Sequence, residues 1–421
     1  MRAAVVVVGD LGRSPRMQYH AHALAASGVD VDFVGYEGAP LPKRITDDPR
    51  ITVHRLPEAR LRFRRAGRST LGFACLALID GARLSVRLCL ALMRLPKPDL
   101  LLVQNPPALP TLHVAGLVAR LRGARLVIDW HNLGYTMLAL RLGRRHPVVR
   151  LTRWLEMVAA RSATAHLCVS RGLAKFLDHR FKIPGVRVLY DRPASAFVLL
   201  ERVEREQIRQ ALFTRLEIRG SGPVGFIVSP TSWTADEDFD VVIDAVREIE
   251  ERVRGWEVNH PSHRFPDLVI LVTGDGARRA EFERRFAGLP ARRVQLRTRW
   301  LDPEDYPRIV GSADVGLCLH RSSSGLDIPM KVVDLFGAGV PVCALDYGAC
   351  LAERIRHGDN GLLFSNARQL AEVIFDLFEG FPGESSRLDR LRAGARRAAR
   401  PTWEEGWATE ARPLLLTPTP R

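Results

Sequence analysis

Short apolar runs that stop at a small-residue turn, each followed by a helical pattern, recur from one end of this 421-residue chain to the other. Runs at 3–8, 29–35, 51–56, 100–104, 125–129, 165–169 and 186–190 read as strands, and helical patterns at 16–27, 69–94, 108–122, 147–162 and 170–181 separate several of them. Apolar strands joined through helices predict a parallel sheet covered on both faces. A second series has strands at 224–229, 267–273 and 294–297 and helices at 236–254, 277–287 and 303–312, then a strand, loop, helix and strand over 312–345. The fold expected is α/β: two Rossmann-like, doubly wound domains facing a central cleft. Sheets of this kind bind ligands outside the carboxyl ends of their strands. The boundaries expected are 1–193 for the first domain, 194–222 for a linker with one charged helical piece, and 223–400 for the second domain. Residues 401–421 are expected to form a last helix and tail packing back on the first.

The charge balance asks for an anionic partner. The formal net charge is +15, and lysine occurs only at 43, 97, 175, 182 and 331, so nearly all the positive charge is arginine. Nucleic acid, anionic lipid and phosphorylated substrates all fit such a charge. No RRM, zinc-finger or basic-zipper pattern accompanies it, so no nucleic-acid partner is expected. Six cysteines, at 75, 89, 168, 318, 343 and 350, lie scattered with no C-x-x-C pair, which predicts reduced thiols. The apolar run after Arg2 is too short for a signal peptide or membrane span, and none is expected elsewhere.

Polar signatures gather where the strands end. In 312–344 a strand feeds the loop Ser322-Ser323-Ser324-Gly325 and a helix entered through Pro329. Free backbone N–H groups at such a helix start suit phosphate, Lys331 can add a point charge, and Asp334 can accept hydrogen bonds from sugar hydroxyls. An ordinary βαβ edge accounts for the same pattern, and the loop alone does not decide. After the first strand, Gly9-Asp10-Leu11-Gly12-Arg13-Ser14-Pro15-Arg16 permits close backbone approach and favours an anion or sugar. It is not G-x-G-x-x-G, which disfavours a nicotinamide cofactor. The run Asp129-Trp130-His131-Asn132-Leu133-Gly134-Tyr135 places an imidazole beside an aspartate, a suitable general base. Thr231-Ser232-Trp233 and Gly274-Asp275-Gly276 follow two strands of the second half and could hold a diphosphate. Asp236, Glu237, Asp238 and Asp240 are read as first-turn acids complementing a helix dipole, with no metal site.

One helix does not fit a purely soluble reading. Residues 69–94 are apolar around most of the circumference, with Ser69, Asp80, Arg83, Arg87 and Arg94 on one narrow stripe. Arg60, Arg62, Arg64, Arg65 and Arg68 precede it. The expectation is a helix lying on an anionic membrane surface rather than spanning it.

Taken together, GDLGRSPRMQYHAHALA at 9–25, QNPPALP at 104–110, VIDWHNLGYT at 127–136, VLYDRPAS at 188–195, TSWTADEDF at 231–239, the stretch 304–345 and NGLLF at 360–364 resemble the chitobiosyldiphosphodolichol β-mannosyltransferases. Pro329, Lys331 and Asp334 also resemble the donor-site helix of GT-B glycosyltransferases, with Asp where Glu is commoner. The resemblance implies a GT-B fold and inverting transfer of mannose from GDP-mannose to a polyprenyl-diphosphate-linked chitobiose of dolichol type, through a β-1,4 bond. It implies a donor site at Thr231, Ser232, Trp233, Gly274, Gly276, Ser323, Ser324, Gly325, Lys331 and Asp334. The acceptor would meet Gly9, Gly12, Arg13, Arg16, Asn132 and Tyr135, and the base would be His131, then Asp10 or Asp129. The chemistry implied requires no cofactor, a divalent cation at most stimulating it. The place implied is the cytosolic face of a membrane: endoplasmic reticulum in a eukaryote, inner membrane in a bacterium. Eukaryotic members usually carry an amino-terminal anchor, whereas here the first strand begins at residue 3, so attachment is expected through residues 69–94. The alternative is a GT-B enzyme with another nucleotide-sugar donor, acting on a bacterial polyprenyl-linked or surface-polysaccharide acceptor.

Overall fold

The computed structural model describes residues 1–57, 70–193, 196–220, 222–234, 236–302, 304–383 and 386–417. The expected arginine run at 60–68 and Ser69 lie outside them, and over 70–78 only the helical backbone is described. The chain forms two compact units, one of residues 1–190 with 404–421, the other of residues 191–403.

The first unit is built on seven parallel strands: β1 (Arg2–Asp10), β2 (Asp30–Tyr36), β3 (Ile51–Leu56), β4 (Leu100–Asn105), β5 (Arg125–Trp130), β6 (Ala165–Cys168) and β7 (Arg187–Val188). Their order is β3-β2-β1-β4-β5-β6-β7, so the order reverses beside β1 and leaves the ends of β1 and β4 as the switch point. Ala3 to Val7 and Leu100 to Val103 are wholly buried, as a strand covered on both faces requires. The second unit repeats the plan with β8 (Val224–Pro230), β9 (Asp267–Thr273), β10 (Val294–Arg299), β11 (Val315–Cys318), β12 (Val342–Leu345) and β13 (Gly361–Phe364), ordered β10-β9-β8-β11-β12-β13. β13 and the helices Ala367–Phe378 and Ser386–Ala398 go beyond the elements read from sequence.

Three local expectations change. The charged helix expected within the linker, Arg202–Arg215, belongs to the second unit, with Leu212 buried beside Phe226 and Leu271 in its core. The helix expected from 236 begins at Asp240, which leaves Asp236, Glu237 and Asp238 in the loop before it. On the helix Thr70–Arg94, Asp80 is buried on the side of Leu84, Leu88 and Leu92, apart from the exposed Arg83, Arg87 and Arg94. The stripe is therefore buried at its Asp80 end and exposed at its arginines. Among the described residues no helix is long and apolar enough to cross a membrane.

Candidate functional site

At the end of β5 the Asp129 carboxylate is fully buried and receives three cationic or imidazole side chains. Arg16 donates to it twice, Nε to Oδ2 at 2.7 Å and Nη2 to Oδ1 at 2.8 Å, and gives Nη1 to the Leu189 carbonyl at 2.9 Å. His131 Nε2 lies 2.9 Å and His20 Nε2 3.3 Å from Asp129 Oδ2. Burial alone would raise this carboxyl, but the Arg16 charge and His131 beside it hold it well below the usual carboxylate range. Asp129 is therefore an anchored anion, not the proton acceptor expected of it. Arg16 is likewise consumed inside the unit and is not a surface contact for an acceptor. His20 is kept neutral by burial; its Nδ1 accepts from Trp407 Nε1 at 3.1 Å, which puts its proton on Nε2, toward Asp129.

His131 is the member of this cluster that reaches solvent, with its side chain 24% exposed. With Nε2–H donated to Asp129, Nδ1 carries the basic lone pair, the arrangement in which a carboxylate fixes the tautomer of a base. Its loop is held from beneath by Glu156, which the sequence reading missed. That buried carboxylate accepts from Gly134 N at 2.8 Å, Tyr135 N at 3.0 Å and Asn105 Nδ2 at 2.9 Å, and burial raises its pKa. Asn132 caps the same turn by accepting from Leu133 N at 2.7 Å. The Tyr135 ring lies 5.8 Å from the Arg153 guanidinium.

The loop after β1 has a structural task of its own. Asp10 accepts from Gly12 N at 2.9 Å and Ala39 N at 3.0 Å, so its carboxylate ties two loops together. Gly12 is needed for that closeness, since a Cβ there would stand 2.1 Å from the Ala39 carbonyl oxygen. Arg13 is left largely exposed beside Asp10, while a Cβ at Gly9 would meet only ordinary contact, and nothing in the structure requires glycine there.

In the second unit the acidic loop before the helix Asp240–Asn259 organises everything around it. Buried Glu237 binds Lys331 and the Thr231 hydroxyl, and accepts from Ser232 N at 3.1 Å. Asp236 takes His320 Nδ1 at 3.0 Å, Asp238 takes Arg321 at 2.9 Å, and Asp240 takes Arg285. Each acid has its own cation, and because the helix starts at Asp240 that residue alone of the four stands in its first turn. Trp233 does not face a ligand: its ring is buried and stacks on Phe239 at 4.5 Å, and what it contributes is a fixed 231–234 loop. Gly274, at φ +102°, and Gly276 let the next loop pass against it; Cβ atoms there would stand 2.0 Å from Thr231 O and 2.5 Å from Ser232 O.

The serine loop is wound around Ser322, whose hydroxyl accepts from Gly325 N at 2.8 Å and donates to Asp327. Ser324 Oγ accepts from Leu326 N at 3.0 Å, and Ser323 lies between the two turns. His320, also missed from sequence, sits between Asp236 and Asp327, with Nε2 3.4 Å from Asp327 Oδ2. Burial opposes its charge, but the two carboxylates outweigh it and push its pKa up to about 9. Lys331 and Asp334 both stand on the helix Met330–Gly337. Burial pushes the Asp334 carboxyl up to about 7, opposed by a hydrogen bond from Tyr306 at 3.3 Å and reinforced by the charge of Asp191. The signal shared by His131 and His320 is position, each following a parallel strand of the inner sheet with an aspartate as partner.

Residues 12–191 match the family model described as a glycosyl transferase 4-like domain, and residues 223–379 match that of glycosyl transferases group 1. The chain is 38% identical to the Arabidopsis thaliana protein named UDP-glycosyltransferase TURAN, over 98% of this chain and 97% of that one. It is 36% identical to the chitobiosyldiphosphodolichol beta-mannosyltransferase of Homo sapiens, over 98% and 92% of the two chains. The mouse protein of the same name is 35% identical, over 99% and 90%. Among solved structures, a sucrose-phosphate synthase from Thermosynechococcus elongatus superposes with TM-score 0.65 at 16% identity, covering 96% of each chain. A Rickettsia africae glycosyltransferase does so with TM-score 0.58 at 15% identity, covering 94% and 92%. The paired sheets are those of the GT-B fold.

Proposed function

The chain belongs to the chitobiosyldiphosphodolichol beta-mannosyltransferase family and is a mannosyltransferase, and from that premise we propose that it acts in dolichol-linked glycan assembly. In this reading it moves mannose from GDP-mannose to a diphosphate-linked chitobiose with inversion, making a β-1,4 bond for N-glycosylation. The second unit holds the donor. Lys331 faces the diphosphate and Asp334 accepts from the ribose. The first unit supplies the base. An acceptor hydroxyl oxygen attacks the anomeric carbon, the bond from that carbon to the diphosphate oxygen breaks, the hydroxyl proton passes to His131 Nδ1, and GDP leaves as the anion. The enzyme works as a peripheral protein at a cytosolic membrane face, and the reaction needs no resident cofactor.

The observation that carries this reading is His131, held by a buried Asp129 whose carboxyl lies well below the usual carboxylate range. His131→Ala is expected to lower kcat by ~10²–10⁴-fold with little change in the donor Kd, measured by product formation from a synthetic lipid-diphosphate chitobiose. Near-wild-type turnover would remove His131 from the role. A second reading, a UDP-sugar donor, has support in the name of the Arabidopsis relative. Transfer from GDP-mannose and from a panel of UDP-sugars to the same acceptor separates the two.

A further inference from the structure

The loop bearing His131 runs directly into a helical hairpin, Gly134–Leu142 and Pro147–Ala160, whose outer face is apolar. Leu140 is 67% exposed, Leu151 55%, Trp154 54% and Met137 53%, and Val158 continues the stripe one turn beyond Trp154. Leu151, Trp154 and Val158 recur at helical spacing on the side opposite the buried Val149, Glu156 and Ala160, so the second helix is apolar inside and out. Arg144, Arg145, Arg150 and Arg153 are exposed around that stripe. The segment 134–161 has one acid, Glu156, and it is turned inward onto the backbone of residues 134 and 135.

We propose that this hairpin is the surface by which the protein docks on an anionic bilayer, the apolar stripe entering the headgroup boundary and the arginines meeting lipid phosphates. An aqueous surface gains nothing from an exposed tryptophan and leucine stripe ringed by cations, whereas an interfacial helix uses both. Trp154 suits the boundary, where its ring is apolar and its N–H stays wet. The hairpin begins three residues after His131, so docking brings the acceptor loop to the depth at which a lipid-linked diphosphate lies. This step rests on the lipid-linked acceptor proposed above. It adds the hairpin to the attachment that the sequence led us to expect of residues 69–94.

The test is flotation of the full chain with phosphatidylcholine vesicles, with and without phosphatidylglycerol, alongside transfer to a short-chain acceptor in detergent. The wild type is expected to float with the anionic vesicles. Leu151→Glu/Trp154→Glu, and separately Leu140→Glu, should lower the bound fraction by about tenfold or more. Arg144→Ser/Arg150→Ser should lose the preference for phosphatidylglycerol, and Val203→Glu, on the second unit, should float as the wild type does. Detergent-phase transfer should be unchanged in all of these. Wild-type flotation of both glutamate variants, with unfolding midpoints like the parent's, overturns the docking surface, as does failure of the wild type to float. Loss of transfer by the wild type with flotation intact overturns the proposed reaction and leaves the surface standing.

Discussion

Two histidines with aspartate partners do opposite things because their partners differ in number. His131 shares its carboxylate with Arg16 and His20, so that anion is already compensated, and only one nitrogen of the ring faces it. His320 stands alone between Asp236 and Asp327 and is held as a cation, both nitrogens facing carboxylates. Its folded pKa of about 9 lies above the ordinary 6.5. The stabilisation from its charge is therefore complete below pH 6.5 and is lost as pH rises through about 9. His320→Gln should flatten the stability profile of the second unit between those limits, removing a contribution on the order of 3 kcal/mol. Denaturant unfolding at a series of pH values checks this; an unchanged slope would place the charge elsewhere. Asp334 makes a complementary case. Its carboxyl, pushed up to about 7, should ionise when ribose hydroxyls donate to it, so donor binding at neutral pH should release a proton. Calorimetry in buffers of different ionisation enthalpy measures that release, and a buffer-independent enthalpy would contradict it.

At the scale of elements, the strand-end loops work as interlocked pairs. The 231–234 loop is fixed from below by Glu237 and from the side by the backbone at Gly274 and Gly276. Gly274→Ala would put a Cβ against the Thr231 carbonyl at a left-handed backbone angle, so the pair of loops must separate. The expected result is a loss of roughly 1–3 kcal/mol in stability and a raised KM for the sugar nucleotide, with acceptor KM unchanged. Steady-state kinetics with each substrate varied in turn would show it. The sequence made the loops themselves legible, because a parallel strand must end at a turn and its small residues mark that turn. It also made β1 and β9 legible to within two residues, since a strand covered on both faces is a nearly unbroken apolar run. What could not be read were the partners. Glu156, Arg16 and Glu237 act on residues 22, 113 and 94 positions away, and no local pattern announces such a pairing. Arg16 and Asp129 looked like ligand contacts because charged residues at strand ends usually face solvent; here they neutralise each other inside. Trp233 misled for the opposite reason, its ring turning inward while its backbone shapes the loop.

The whole molecule is discontinuous in one direction only. Residues 191–403 make up the second unit without interruption, while the first is assembled from 1–190 and the returning end of the chain. That end is firmly held: Arg125 donates to the carbonyls of Leu414 and Thr417, each at 2.7 Å, and buried Trp407 donates to His20. Trp407→Ala should destabilise the first unit by about 3–5 kcal/mol, whereas Trp407→Phe keeps most of the packing and costs about 1 kcal/mol for the lost hydrogen bond. Hydrogen exchange across β1 and the helix Pro15–Ala26 reports the difference directly, and equal protection in both variants would deny Trp407 this role.

The returning segment also orders events on the ribosome. The second unit has its complete sequence once residue 403 emerges, but the first must wait for its last piece through the synthesis of more than two hundred further residues. Until then His20 lacks its indole. The half of the molecule that is translated first thus waits for residues 404–417 before its Trp407–His20 hydrogen bond can form.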